Sequence, residues 1–131
     1  MRSRGTPIEL DKVRYLRYTA EAMEDFEETM GYGIFYLIEQ ASNENAVHKF
    51  MEIKPIRVLL QAGLKHEDPQ LADKKLGKRI SASLIDTWIQ SGKSIPELYT
   101  VVLNAVRKDQ WPTMDTTPAG TEPDGDGDTG E

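Results

Sequence analysis

Five carboxylates within eight residues, Glu21, Glu24, Asp25, Glu27 and Glu28, form the densest group in this chain able to move protons. A catalytic acid–base pair needs one carboxyl desolvated, so that its pKa separates from its partner's. These five instead ring the polar side of one amphipathic segment, which fits a solvated or partner-facing surface better than a catalytic centre. His48 and His66 are the only histidines, and they fall in different segments. His66-Glu67-Asp68 is too closely spaced for helical ligand geometry and stands in a turn before Pro69. No metal site and no cofactor are expected, because such sites need dedicated, spaced ligands. Gly31-Tyr32-Gly33 carries neither the lysine of a P-loop nor a dinucleotide fingerprint after a strand, and reads as helix punctuation. Lys74, Lys75, Lys78 and Arg79 make the opposite patch, either a solvated face or a complement to the acidic helix of another copy or to an acidic partner segment.

The bulk properties narrow the classes further. A chain of 131 residues, 38% of them hydrophobic, has room for one domain with a modest core. Residues 113 to 131 hold six acids (Asp115, Glu122, Asp124, Asp126, Asp128, Glu131) and no Lys or Arg. Removing those six from 22 acids leaves 16 against 16 bases, so the net charge of −6 belongs to that stretch. A neutral domain is not the footprint of a nucleic-acid binder, nor of a protein drawn to an anionic membrane. With no cysteine there is no disulfide, thiol or cysteine-ligated zinc chemistry. Neither a secretory leader nor an apolar run of membrane-spanning length is visible, so a soluble intracellular protein is expected.

The elements that would position these groups are mostly helical. Ile8 to Tyr18 alternates in part and predicts a short hairpin turning at Asp11-Lys12. Thr19 then caps a helix carrying Ala22, Met23, Phe26 and Met30, stopped by Gly31. A second helix starts near Gly33 with Ile34, Leu37, Ile38 and Ala41, and Ser42 to Asn45 breaks it. Residues 46 to 54 suit helix and extended chain about equally, and Pro55 opens the first turn of a new helix with the stripe Ile56, Leu59, Leu60 and Leu64. Gly63 beside Ala62 permits a close approach there. Asp73 caps a further helix whose face is marked by Leu76, Ile80, Leu84, Ile85, Trp88 and Ile89, with Gly77 and Ser81-Ala82-Ser83 inviting a bend or break. Ser94-Ile95-Pro96-Glu97 is a capping box for the last helix, which carries Leu98, Val101, Val102, Ala105 and Val106. The expected fold is mainly α: a small domain of about five helices over residues 8–111, with a short N-terminal β-hairpin. A flexible start over 1–7 and a disordered acidic C-terminal tail over 112–131 flank it.

Five short motifs recur in an order worth naming: Leu16-Arg17-Tyr18-Thr19, Phe26-Glu27-Glu28, Gly31-Tyr32-Gly33-Ile34, Ala62-Gly63-Leu64 and Glu67-Asp68-Pro69. Through them, over about residues 8 to 110, the chain resembles the small tail assembly chaperones of long-tailed bacteriophages and gene transfer agents. Each motif alone is weak, and their order and spacing carry the resemblance. It departs from the family pattern in a turn without glycine, a longer stretch around 42 to 54, and the acidic end. The resemblance implies a non-catalytic protein of the bacterial host cytoplasm that keeps the tape measure protein soluble during tail tube assembly and is absent from the mature virion. It also allows for self-association. The competing reading is a structural minor tail or head–tail connector protein.

For that role the partner-binding candidates are Met23, Phe26, Met30 and Phe35 as an adaptable apolar groove, with Glu24, Glu28, Lys74 and Lys78 as charged steering groups. The apolar members serve equally well as ordinary core, the usual fate of such a stripe.

Overall fold

In a computed structural model, which describes residues 5–42 and 52–112 and gives residues 41 and 42 by backbone alone, everything is arranged around one helix. That helix, α3 (Ile53–Leu64), buries Pro55, Ile56, Val58, Leu59, Leu60, Ala62, Gly63 and Leu64. A helix apolar on nearly every side has to be central. It packs against β2 (Val13–Leu16), α1 (Ala20–Met30), α4 (Lys74–Gln90) and α5 (Ile95–Gln110). The stripe expected from the sequence is therefore only part of its buried surface. β1 (Thr6–Glu9), α2 (Ile34–Ser42) and a 3-10 turn (Pro69–Ala72) complete the chain, which among the described residues is five helices and one antiparallel hairpin. Expectations for residues 43–51, His48 and Met51 among them, and for the stretch 113–131 lie outside the described residues.

Local signals account for most element ends. The Thr19 hydroxyl accepts from Ala22 N–H, and Gly31 closes α1 with φ 81° and its N–H on the Glu27 carbonyl. Asp73 accepts from Leu76 N–H at the head of α4. Ser94 and Glu97 exchange the two hydrogen bonds of a capping box at the head of α5. The tight α4–α5 link is pinned by Trp88, whose indole N–H donates to the Ser94 carbonyl at 2.7 Å, while Gly92 takes φ 94°.

Three expectations need correction. The hairpin pairs Thr6 with Leu16 and Glu9 with Val13, so Leu10, Asp11 and Lys12 form a three-residue connection, and β1 includes Thr6 and Pro7. Leu10 N–H donates to the Lys12 carbonyl and closes this turn without glycine. Next, α4 runs unbroken through Gly77 and Ser81. Its buried side is Gly77, Ser81, Leu84, Ile85 and Trp88, whereas Leu76 and Ile89 are exposed. The small residues do not weaken the helix here; they are the side that touches α3.

Two glycines set helix spacing. A Cβ at Gly63 would stand 2.5 Å from the Tyr18 ring, and one at Gly77 would stand 2.5 Å from the Leu71 carbonyl oxygen. Helix propensity alone favours alanine over glycine by roughly 1 kcal/mol. Overpacking a filled interior costs about 1–3 kcal/mol, and here the obstacles are a buried ring and backbone. We therefore expect both Gly63→Ala and Gly77→Ala to lower the urea midpoint, where an exposed helix glycine would raise it.

Candidate functional site

The groups able to do chemistry are distributed over the surface, and their partners are structural. Lys65, at the end of α3, forms an ion pair with Asp25 and sits 3.6 Å from Glu21. Burial pulls its ammonium down, but the two carboxylates outweigh that and hold it above the usual lysine value. Two of the five acids thus clamp α1 to α3. Glu24, Glu27 and Glu28 face solvent.

Arg14 is the most enclosed charge. It is only 9% exposed, and its guanidinium grips Asp11 through Nε at 2.8 Å and Nη2 at 3.0 Å, with Nη1 reaching Asp68 at 3.4 Å. The bond to Asp11 raises the arginine and holds the aspartate below its ordinary value. Asp68 also accepts from Gln70 N–H, so one carboxylate ties the hairpin to the turn ahead of α4. A second polar seam joins α3 to α4. Arg57 Nη1 donates to Gln61 Oε1 at 3.0 Å and to Ser81 Oγ at 3.4 Å, Gln61 donates to the Leu71 carbonyl, and Ser81 donates to the Gly77 carbonyl. Burial pushes the Arg57 pKa down. Sequence reasoning missed this seam; the i, i+4 spacing of Arg57 and Gln61 and an inward serine are its only local marks.

His66 is exposed, with Nδ1 at 3.1 Å from the Gly63 carbonyl. Among the described residues no three His, Asp or Glu side chains are grouped to hold a metal ion. One groove, of about 220 Å³, runs between α1, α3 and the head of α4, lined by Asp25, Glu28, Val58, Gln61, Lys65 and Lys74. Pockets for drug-sized ligands span roughly 300–1,000 Å³. A second hollow, of about 380 Å³, lies between the hairpin and α4 beside Arg14, Arg79 and Ser83.

The structure divides the partner-binding candidates. Met23 and Phe26 are buried in the chain's own core, and Met30 packs half-buried against it, so these three do not form an open groove. The reason is directional: the face they share is the one α1 turns toward α3. Phe35 is 68% exposed and belongs to a different surface. Glu28 and Lys74 line the same groove, while Glu24 and Lys78 stand exposed apart from it.

The surface Phe35 belongs to is aromatic. Its ring lies 4.9 Å from that of Trp111 beyond the end of α5. Tyr36, 47% exposed, lies 4.8 Å from Tyr32, which in turn meets Phe26 edge-on at 5.9 Å. Exposed Ile53 opens α3, the next described element. Large rings held by one another and left open to water are the usual anchors of protein recognition.

The Arg14 clasp makes two expectations. Replacing Arg14 by Met leaves Asp11 and Asp68 facing each other without a cation, and should cost about 1–3 kcal/mol by denaturant unfolding. That is less than a fully buried pair would lose, since both aspartates remain partly in water. Because the folded pKa of Asp11 lies below 3.8, its contribution is present above that value and fades as pH falls through the folded pKa. The stability difference between wild type and Asp11→Asn should accordingly be constant near neutrality and shrink below about pH 4.

Among the described residues no helix is long and apolar enough to cross a membrane. Comparison with protein-family models, with curated proteins and with solved structures finds no match to this chain.

Proposed function

We propose that this protein is a non-catalytic tail assembly chaperone, which binds the tape measure protein of a long-tailed phage or related particle in the bacterial cytoplasm. It would keep that client soluble until the tail tube grows around it. The observation that carries the reading is the exposed aromatic pair Phe35 and Tyr36, the former ring against half-buried Trp111, on a small helical domain, together with the ordered motifs from Leu16 to Pro69.

The physical logic follows from what such a client exposes. A long helical protein awaiting its tube presents apolar stripes at i, i+3, i+4 and i+7, and an exposed aromatic surface accepts such a stripe. Rigid rings lose little conformational entropy on binding and suit many similar helical segments. Buried Phe26 supports Tyr36 from below through its edge-on contact with Tyr32.

Co-expression with the tape measure protein encoded beside it tests the reading: the client should stay in the soluble fraction and co-purify. Unchanged precipitation overturns it, as does stoichiometric presence of this chain in purified particles, which would make it a structural component. Phe35→Gln with Tyr36→Gln should weaken client binding about thirtyfold or more, because truncated aromatic hot spots cost upward of roughly 1 kcal/mol each. Thermal stability should change little, since both side chains are largely in water.

A further inference from the structure

Among the described residues, the four cations at the head of α4 have no acidic partner. Lys74, Lys75, Lys78 and Arg79 are exposed, and none of them joins the ion pairs formed among the described residues. Nearby acids are already committed: Asp25 and Glu21 to Lys65, Asp11 and Asp68 to Arg14, and Asp73 to the Leu76 N–H. Glu28, which with Asp25 shares a groove with Lys74, joins no ion pair among the described residues. Cations in the first turns of a helix also oppose the positive end of its dipole.

Helical spacing sorts these charges. Lys74 and Lys78 are one turn apart, as are Lys75 and Arg79, and Arg79 borders the hollow beside the hairpin. Arg57 reaches the same stretch of α4 through Ser81. Its guanidinium donates to Ser81 Oγ, which lies 3.2 Å from the Lys78 backbone carbonyl, and its other partner is the neutral Gln61 amide. Burial depresses the Arg57 pKa, as it must for a half-buried cation with uncharged partners.

We propose that an acidic polypeptide segment lies along the α3–α4 seam over Lys74, Lys78 and Arg57, and that its occupant in this protein is the chain's own stretch 115–131. Charge is the first argument. That stretch holds six acids and no base, while the rest of the chain is balanced at 16 against 16. Reach is the second argument. Gln110, near the end of α5, donates to the Tyr18 carbonyl; the Tyr18 ring lies on Gly63; and Gln61, half a turn earlier, bonds Leu71 beneath Gly77 of α4. The whole path lies within a domain whose radius of gyration is about 13 Å at this size. Nineteen residues beyond Pro112 extend up to roughly 60 Å, so the seam is within easy range. Tethering then raises the local concentration of the segment to about the millimolar range, which makes weak pairing effective. This proposal is independent of the chaperone reading.

Zero-length carbodiimide coupling of the full chain, mapped by mass spectrometry, tests it. Amides should form between the acids of 115–131 and Lys74 or Lys78 in monomer-sized protein, at a yield independent of protein concentration. The yield should fall several-fold in about 1 M salt, where screening acts within roughly 3 Å. Arg57→Gln should cut the Lys78 product several-fold. In the full chain, Asp124→Asn, Asp126→Asn and Asp128→Asn together cannot unfold the domain, and should move the amide resonances of residues 74–81 to their high-salt positions. Absence of these products, their appearance only in cross-linked dimers, or equal coupling to Lys54, Lys93 and Lys108 overturns the proposal, as do amide resonances indifferent to the tail charges.

Discussion

The seat of Tyr18 on Gly63 is the contact on which the other elements depend. The ring is fully buried, its hydroxyl donates to the Leu59 carbonyl at 2.7 Å, and it occupies the space a side chain at Gly63 would need. The backbone around it is held from both sides: Arg17 N–H donates to the Gly63 carbonyl, Tyr18 N–H to Asp109, and Gln110 to the Tyr18 carbonyl. One residue therefore joins the hairpin exit, the start of α1, the end of α3 and the end of α5. Burial, and then the nearby Asp109 charge, raise the Tyr18 pKa well above its ordinary value. Position 63 must be glycine because the ring is there, and the ring can be there because position 63 is glycine.

Around that contact, polar groups do the orienting and apolar groups supply the driving force. The Arg14 clasp, the Lys65 pair and the Arg57–Gln61–Ser81 seam each connect elements distant in sequence. Their exposed members make them modest contributors to stability, since surface ion pairs yield about 0–1 kcal/mol. Their use is angular: the Lys65 pair and the Arg57 seam restrict how α1 and α4 sit on α3, and the Arg14 clasp how the hairpin sits on the turn ahead of α4, where buried Leu and Ile alone would permit several packings. The two small residues of α4, Gly77 and Ser81, show the same division, with one removing volume and the other satisfying its own hydroxyl on the helix backbone.

What could be read from the sequence follows from how local each determinant is. The caps at Thr19, Gly31, Asp73 and Ser94 act within three or four residues, and all four stand where their residue types place them. The close approach at Gly63 was legible as a permission, though the identity of its neighbour was not. The α4 face was misjudged because Gly77 and Ser81 carry low helix propensity, and propensity is silent about a neighbour that requires their smallness. In the same way, Met23, Phe26 and Phe35 look alike in a pattern of apolar residues. Which of them is covered depends on where α3 passes, and nothing within one turn of any of them reports that.

The same distinction governs how far the motifs carry a functional argument. Arg17, Tyr18 and Thr19 bond α3, seat on it and cap α1; Gly31 ends α1; Gly63 receives the ring; Asp68 joins Arg14 and caps the 3-10 turn. These are residues that build a frame. A pattern made of them speaks first about shape, and shape alone hosts many roles. The side chains this frame leaves exposed include Phe35 and Tyr36 on α2 and Lys74 and Lys78 on α4, and these lie outside the motifs. Frame residues are constrained by one another, whereas surface residues are constrained only by what they meet. What the frame leaves exposed is of two kinds, rings at Phe35 and Tyr36 and cations at Lys74 and Lys78, and a functional argument has to be made from these rather than from the motifs.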